Sequence, residues 1–178
     1  AKDPFALRRA ALGVVQPLVE HGLAFDLQAA LVRSAALQPV PVSEAVLTQV
    51  LEFIAGRLRV LLIDLGYRYD VVDAVLAAQS GDPAGAVQAV KELTAWVARP
   101  DWNTLLPGYA RCVRITRSQT EKFTVEPSAL VEPEETELYA ALQQVEKTPR
   151  RPGSVEDFLK AFVPMVPVID RFFDKVLV

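Results

Sequence analysis

Apolar positions along this chain recur at helical spacing, in stretches separated by proline, glycine and capping residues. The clearest stretch is "EAVLTQVLEFIAGRLRVLLIDLG", where Val46, Val50, Phe53, Ile54, Leu58, Leu61 and Leu65 fall three or four apart, the period of one helix face. Ser43 is a good N-cap for it and Gly66 a natural left-handed stop. Asp70 is then placed to cap "VVDAVLAAQ", with Asp73 in the position of a capping-box acid. The two stretches therefore form a helical hairpin, and Tyr67, Arg68 and Tyr69 are its corner.

The same grammar predicts the other elements. Asp3 and Pro4 open a first helix in "AKDPFALRRAALGVVQPLVEHG", which Pro17 is expected to kink or end before Gly22. Asp26 caps "FDLQAALVRSAAL", and the proline-marked "QPVPVS" is the best internal boundary, near residue 40. Asp82 caps a helix that stops before Pro100, a further helix covers roughly residues 104–122, and another runs from about Glu134 to Lys147. Ser154 with Asp157 starts the next, which Pro164 and Pro167 interrupt before "VIDRFFDKVLV". No repeat period is visible.

Composition agrees with that pattern. The 178 residues are 51% hydrophobic and 23% charged, with apolar surface for one substantial core or two small ones. Ala, Leu, Val, Gln, Glu and Arg dominate and only 8 glycines occur, so an all-α protein is expected. A net charge of −3 argues against a surface coated in positive charge but allows a local basic stripe. The lone Cys112 excludes an intramolecular disulfide and a multi-cysteine metal site, which suits a reducing compartment. No apolar run is long enough to span a membrane, and no charged leader precedes an apolar segment. The chain opens on Ala1 rather than methionine, which reads as a piece excised from something longer.

Catalytic chemistry is poorly supplied. His21 is the only histidine, so a multi-histidine metal centre is ruled out, and at a helix end it reads as a residue favoured by the dipole. There is no phosphate-binding glycine loop, dinucleotide fingerprint or nucleophile elbow. The acidic run "VEPEETE" lacks the spaced ligands and turn glycine of a calcium loop and reads as acids complementing a helix N-terminus.

The informative segment is "PGYARCVRITRSQTEKF". At about 100° per residue, Arg111, Arg114, Ser118 and Lys122 share one narrow sector with Arg117 on its margin, while Tyr109, Cys112, Val113, Thr116, Thr120 and Phe123 lie opposite. Arginine offers a planar fork that suits phosphate and can stack on bases, so a helix with a packed back and this basic front fits RNA. The plainer reading pairs these arginines with the acids of residues 126–137, or has them keep the helix soluble. Likewise, Tyr67, Arg68 and Tyr69 either seal the hairpin or stack unpaired bases.

Four stretches then resemble, in order, a known family: "KDPFALRRAALG", "EFIAGRLRVLLIDLGYRYDVVDAVLA", "YARCVRITR" and "VIDRFFDKVLV". Over nearly the whole chain they look like the C-terminal part of the β subunit, or β region, of bacterial-type glycyl-tRNA synthetase. The resemblance implies a helical anticodon-binding domain, similar to that of arginyl-tRNA synthetase, over residues 41–178. Residues 1–40 would be a helical connector or the end of a preceding HD-like domain. In many members the basic motif reads Lys-Arg, two mostly apolar residues, then Asn-Ile; here Arg111 and Ile115 match, while Ala110 and Arg114 replace Lys and Asn, a variant associated with plastid-type members. Members also continue into a further helix, so the chain looks trimmed at Val178.

The function so implied is recognition of the anticodon stem-loop of glycine tRNA by a part of glycine-tRNA ligase that holds no catalytic centre and no cofactor. Glycine activation with ATP and magnesium would belong to a separate α subunit or α region. Expected partners are glycine tRNA, that α part and the rest of the β region, with no membrane, in the bacterial cytoplasm or an organellar stroma or matrix. Arg111, Arg114, Arg117 and Lys122 would touch phosphates or bases. Arg57 and Arg59 lie about 200° apart on their helix, so at most one of them faces RNA. Arg68 joins this basic set, and Tyr67, Tyr69, Tyr109 and Trp102 are stacking candidates. A rival reading is a helical protein-interaction or inter-domain docking module without RNA contact. A degenerate HD-like hydrolase is a distant third, given one histidine.

Overall fold

The computed structural model describes residues 5–121 and 123–176. Nine α-helices and two short 3-10 turns make up the regular structure of these residues, with no strand among them. The chain folds into two compact units, one up to Ala95 and the other from Trp96. The proline-marked stretch near residue 40 lies within the first.

The first unit holds α1 (Leu7–Glu20), α2 (Leu27–Ala36), α3 (Glu44–Asp64), α4 (Tyr69–Gln79) and all but the last turn of α5 (Pro83–Val97). α3 is its centre, and α1, α2 and α4 each pack against it. Capping follows the sequence where the chemistry is local. Asp26 accepts from the Ala29 amide (2.9 Å), Ser43 from that of Val46 (3.4 Å) and Asp82 from that of Gly85 (3.2 Å). Gly66 ends the α3 turn at φ 92°, a conformation that suits glycine.

Several expectations for this unit need correcting. The cap expected at Asp3 and Pro4 lies outside the described residues, and α1 begins at Leu7. Pro17 does not end α1, which continues to Glu20; Pro17 gives up one amide donor, but its carbonyl still accepts from the His21 amide at 3.0 Å. On α3 the buried positions are Ile54, Leu58 and Leu62, four apart, whereas Val46, Val50, Phe53 and Leu65 are exposed. Leu7 and Val14 of α1 leave an open apolar cleft against Val46, Val50 and Phe53, so the outer half of that stripe stays in solvent. Asp70 is not the cap of α4, which starts at Tyr69 with Arg68 as its cap residue, so Asp73 lies beyond the capping-box position. The Asp73 carboxylate is taken by Arg59 of α3, at 2.5 and 3.0 Å.

The second unit holds the end of α5, α6 (Trp102–Thr116), a 3-10 turn at Pro127–Ala129, α7 (Pro133–Glu146), α8 (Val155–Phe162), a 3-10 turn at Val163–Met165 and α9 (Val166–Lys175). α9 packs against both α6 and α7. Leu159, Phe162, Met165, Val166 and Ile169 are buried, and Tyr109 meets the rings of Phe158 and Phe162 edge-on, at 6.1 and 5.7 Å. Pro164 and Pro167 separate α8 from α9 through one tight turn, as the sequence predicts. The acids expected at the start of α7 act there, for Glu132 and Glu135 form a reciprocal capping box.

Asp157 is a heavily bonded acid of this unit. It accepts from the Arg151 backbone amide and from both arms of the Arg151 guanidinium, each at 2.8 Å. Those bonds hold its carboxyl well below the ordinary value of 3.8. A depressed carboxyl stabilises the fold above its unfolded-state pKa and loses that contribution as pH falls through the folded one. Asp157→Asn is therefore expected to melt below the native chain near neutral pH, with the gap closing once pH drops below about 4. Thermal melts across a pH series check this, and a gap that stays constant down to acid pH contradicts it.

Candidate nucleic-acid interface

α6 carries the basic segment, but the helix is shorter than its sequence predicts. It ends at Thr116 rather than near residue 122, with Arg117 as the capping residue, whose amide donates to the Val113 carbonyl at 2.9 Å. Val113 and Ile115 are exposed, so further turns would bury no apolar face, and short helical segments persist only where packing supports them. Thr116 also turns its hydroxyl back to the Cys112 carbonyl (2.9 Å). Ser118 is consequently off the helix, and Lys122 lies outside the described residues.

The three arginines of α6 differ sharply in their surroundings. Leu105 and Gly108 form the buried stripe of the helix, and a Cβ on Gly108 would come within 3.5 Å of Val166 on α9. Arg111 stands about 60° around the helix from Gly108, so it reaches α9 as well. Its guanidinium lies 3.5 Å from an oxygen of Asp170 and 3.4 Å from one of Asp174, and sits over the Phe173 ring at 4.5 Å. The acids that cover it come from α9 and not from residues 126–137; of those, Glu137 pairs with Arg171. Arg114, a further 60° round, is exposed and donates only to the Ala110 carbonyl (3.2 Å) among the described residues. Arg117 is exposed too and forms no ion pair among them. Both sit at the negative end of the helix dipole, where cations are favoured.

The remaining candidates divide between the units. In the second, Trp102 begins α6 half-buried, and Tyr109 is partly used in the aromatic cluster with α8. In the first, Arg59 is bound to Asp73, which raises the pKa of Arg59 and lowers that of Asp73. Arg57 stacks 5.6 Å from the Phe53 ring and keeps a buried Nε without a hydrogen-bond partner among the described residues. At the hairpin corner Arg68 forks onto Asp70 at 3.1 and 2.6 Å, which lowers the Asp70 pKa. Tyr67 is half-buried, whereas Tyr69 is 68% exposed.

Residues that the sequence reading did not single out shape this surface. Asp170, Phe173 and Asp174 hold Arg111; their i, i+3, i+4 spacing shows that they share a helix face but not which cation they meet. Arg99 stacks 4.0 Å from the buried Trp96 and forks onto Asp101 at 2.8 and 2.7 Å. The Trp96 indole in turn donates to Glu156 at 2.5 Å. Burial pushes the Cys112 thiol up, so it is no activated nucleophile. Among the described residues no group of three His, Cys, Asp or Glu side chains is arranged to hold a metal ion, and no helix is long and apolar enough to cross a membrane.

Comparison with known proteins bears on the surface so described. Residues 1–77 match the family model for the glycyl-tRNA synthetase beta subunit. Similarity to whole proteins extends further, across α6 and α9. The chain is 37% identical over its full length to the glycine-tRNA ligase beta subunit of Moorella thermoacetica, covering 27% of that protein. It is 36% identical to that of Rhodospirillum centenum, covering 26%, and 34% identical to that of Myxococcus xanthus, covering 27%, again over the whole chain. The chain thus spans about a quarter of the length of the curated relatives it matches.

Proposed function

We propose that this chain is the C-terminal, RNA-binding part of a glycine-tRNA ligase β subunit, and that it holds the anticodon stem-loop of glycine tRNA without catalysing a reaction. The observation that carries this reading is likeness along the entire chain to proteins named as β subunits of that ligase. In it, residues 1–40 serve as connector and residues 41–178 carry recognition. In the second unit Arg114 and Arg117 are the leading phosphate contacts, because both are open; in the first, taken by itself, Tyr69, 68% exposed, is the candidate platform for a splayed base. Glycine activation, with ATP and magnesium, falls to the α part of the enzyme, in the bacterial cytoplasm or an organelle.

One observation favours a second role. The open apolar cleft of Leu7, Val14, Val46, Val50 and Phe53 suits docking against protein rather than RNA. A single experiment separates the two readings. The chain is titrated with a glycine tRNA anticodon stem-loop, a loop with its two central anticodon bases changed, and an acidic peptide, each across a salt series. RNA recognition requires preference for the native loop and a salt slope on the order of −2 to −4, from about −0.7 to −0.9 per phosphate contact. Equal, weak binding of both loops and the peptide would put docking ahead.

A further inference from the structure

The pairing of Arg111 assigns a task to α9 that goes beyond holding the fold together. Three side chains of one α9 face, Asp170, Phe173 and Asp174, converge on a single guanidinium. Two carboxylates against one cation leave this cluster with one negative charge in excess, and the acids remain in water: their side chains are 44% and 67% exposed. A phosphate approaching Arg111 would have to displace both pairings and meet the repulsion of two carboxylates only partly screened at that range. Around the same helix, Arg114 and Arg117 carry no such cover among the described residues.

We infer that Asp170 and Asp174 are specificity-determining residues: they withhold Arg111 from polyanions and confine RNA to the Arg114–Arg117 edge at the C-terminal end of α6. The inference rests on the RNA-binding reading above and adds to it a device against indiscriminate phosphate binding. Like-charge juxtaposition suppresses wrong partners. Here it lowers affinity for every RNA, but most for those seated toward α9.

The test is the double variant Asp170→Asn/Asp174→Asn in the whole chain. It is titrated with the native stem-loop and the loop of changed anticodon across a salt series. Both RNAs are expected to bind tighter, the loop of changed anticodon by about tenfold and the native loop by less, with a slope steeper by about 0.7 to 0.9 as Arg111 becomes one more phosphate contact, so the preference for the native loop should shrink. Asp174→Asn alone, at the more exposed of the two acids, should give a smaller change in the same direction and guards against a double variant that misfolds. A purely structural role would lower the melting temperature and leave affinity and slope unmoved or weaker, and that result overturns the inference. Should the native chain bind RNA while neither variant binds tighter, the inference alone falls. If neither the native chain nor the double variant binds any RNA, the RNA-binding reading falls and takes it along.

Discussion

Replacing Arg114 and Arg117 together with alanine is expected to weaken binding of the glycine tRNA anticodon stem-loop by roughly tenfold to a hundredfold. Hydrogen bonds to charged groups contribute about 1.5–3 kcal/mol, and each 1.4 kcal/mol is a factor of ten, so the lower end of that range applies to two solvent-exposed contacts. The salt slope should flatten by about two contacts, since a phosphate-binding cation acts on all sequences alike. Because neither side chain forms an ion pair among the described residues, the melting temperature should fall only slightly, by the loss of their favourable place at the helix C-terminus. Anisotropy titrations at several salt concentrations read both quantities. A variant that binds with native slope would place the RNA elsewhere on the molecule, with the hairpin corner at Tyr69 next in line.

A larger effect on folding is expected at Leu58. This side chain is 0% exposed and stands midway between Ile54 and Leu62 on the helix against which α1, α2 and α4 all pack. Truncating it to alanine removes buried methyl groups and leaves a void that surrounding helices fill only in part, which costs about 2–5 kcal/mol. Urea unfolding followed by far-ultraviolet circular dichroism measures the loss. A cost below about 1 kcal/mol would mean that the first unit collapses freely around the site and that α3 is not its anchor.

What the sequence made legible is what local chemistry decides. Asp26, Ser43, Asp82 and Ser154 cap the helices they precede, because the acceptor and the amide it serves lie within one turn. The all-helical fold follows from period and propensity for the same reason. Legibility fails where a local role competes with a distant partner. Asp70 and Asp73 read as a cap and its boxed acid, but α4 starts at Tyr69 with Arg68 as its cap residue, which places Asp70 inside the first turn and leaves Asp73 to fork with Arg59, fourteen residues back. Arg111 reads as the centre of an open basic stripe, yet its own helix approaches α9 closely at Gly108, a juxtaposition that no spacing announces. The end of α6 was misplaced because propensity alone carries a helix past Thr116, while the absence of packing for Val113 and Ile115 stops it there. Arg114 and Arg117 are both exposed, Arg114 in the last turn of α6 and Arg117 at its C-cap.

The buried indole of Trp96, hydrogen-bonded to Glu156 and covered by Arg99, has a spectroscopic consequence. It and Trp102 are the chain's 2 tryptophans, and both belong to the second unit. Indole emission therefore monitors that unit alone, while the far-ultraviolet signal sums helices from both. Loss of Leu58 in the first unit should move the second signal ahead of the first if the units melt separately. Coincident transitions would instead mark one cooperative system in which either half feels damage to the other.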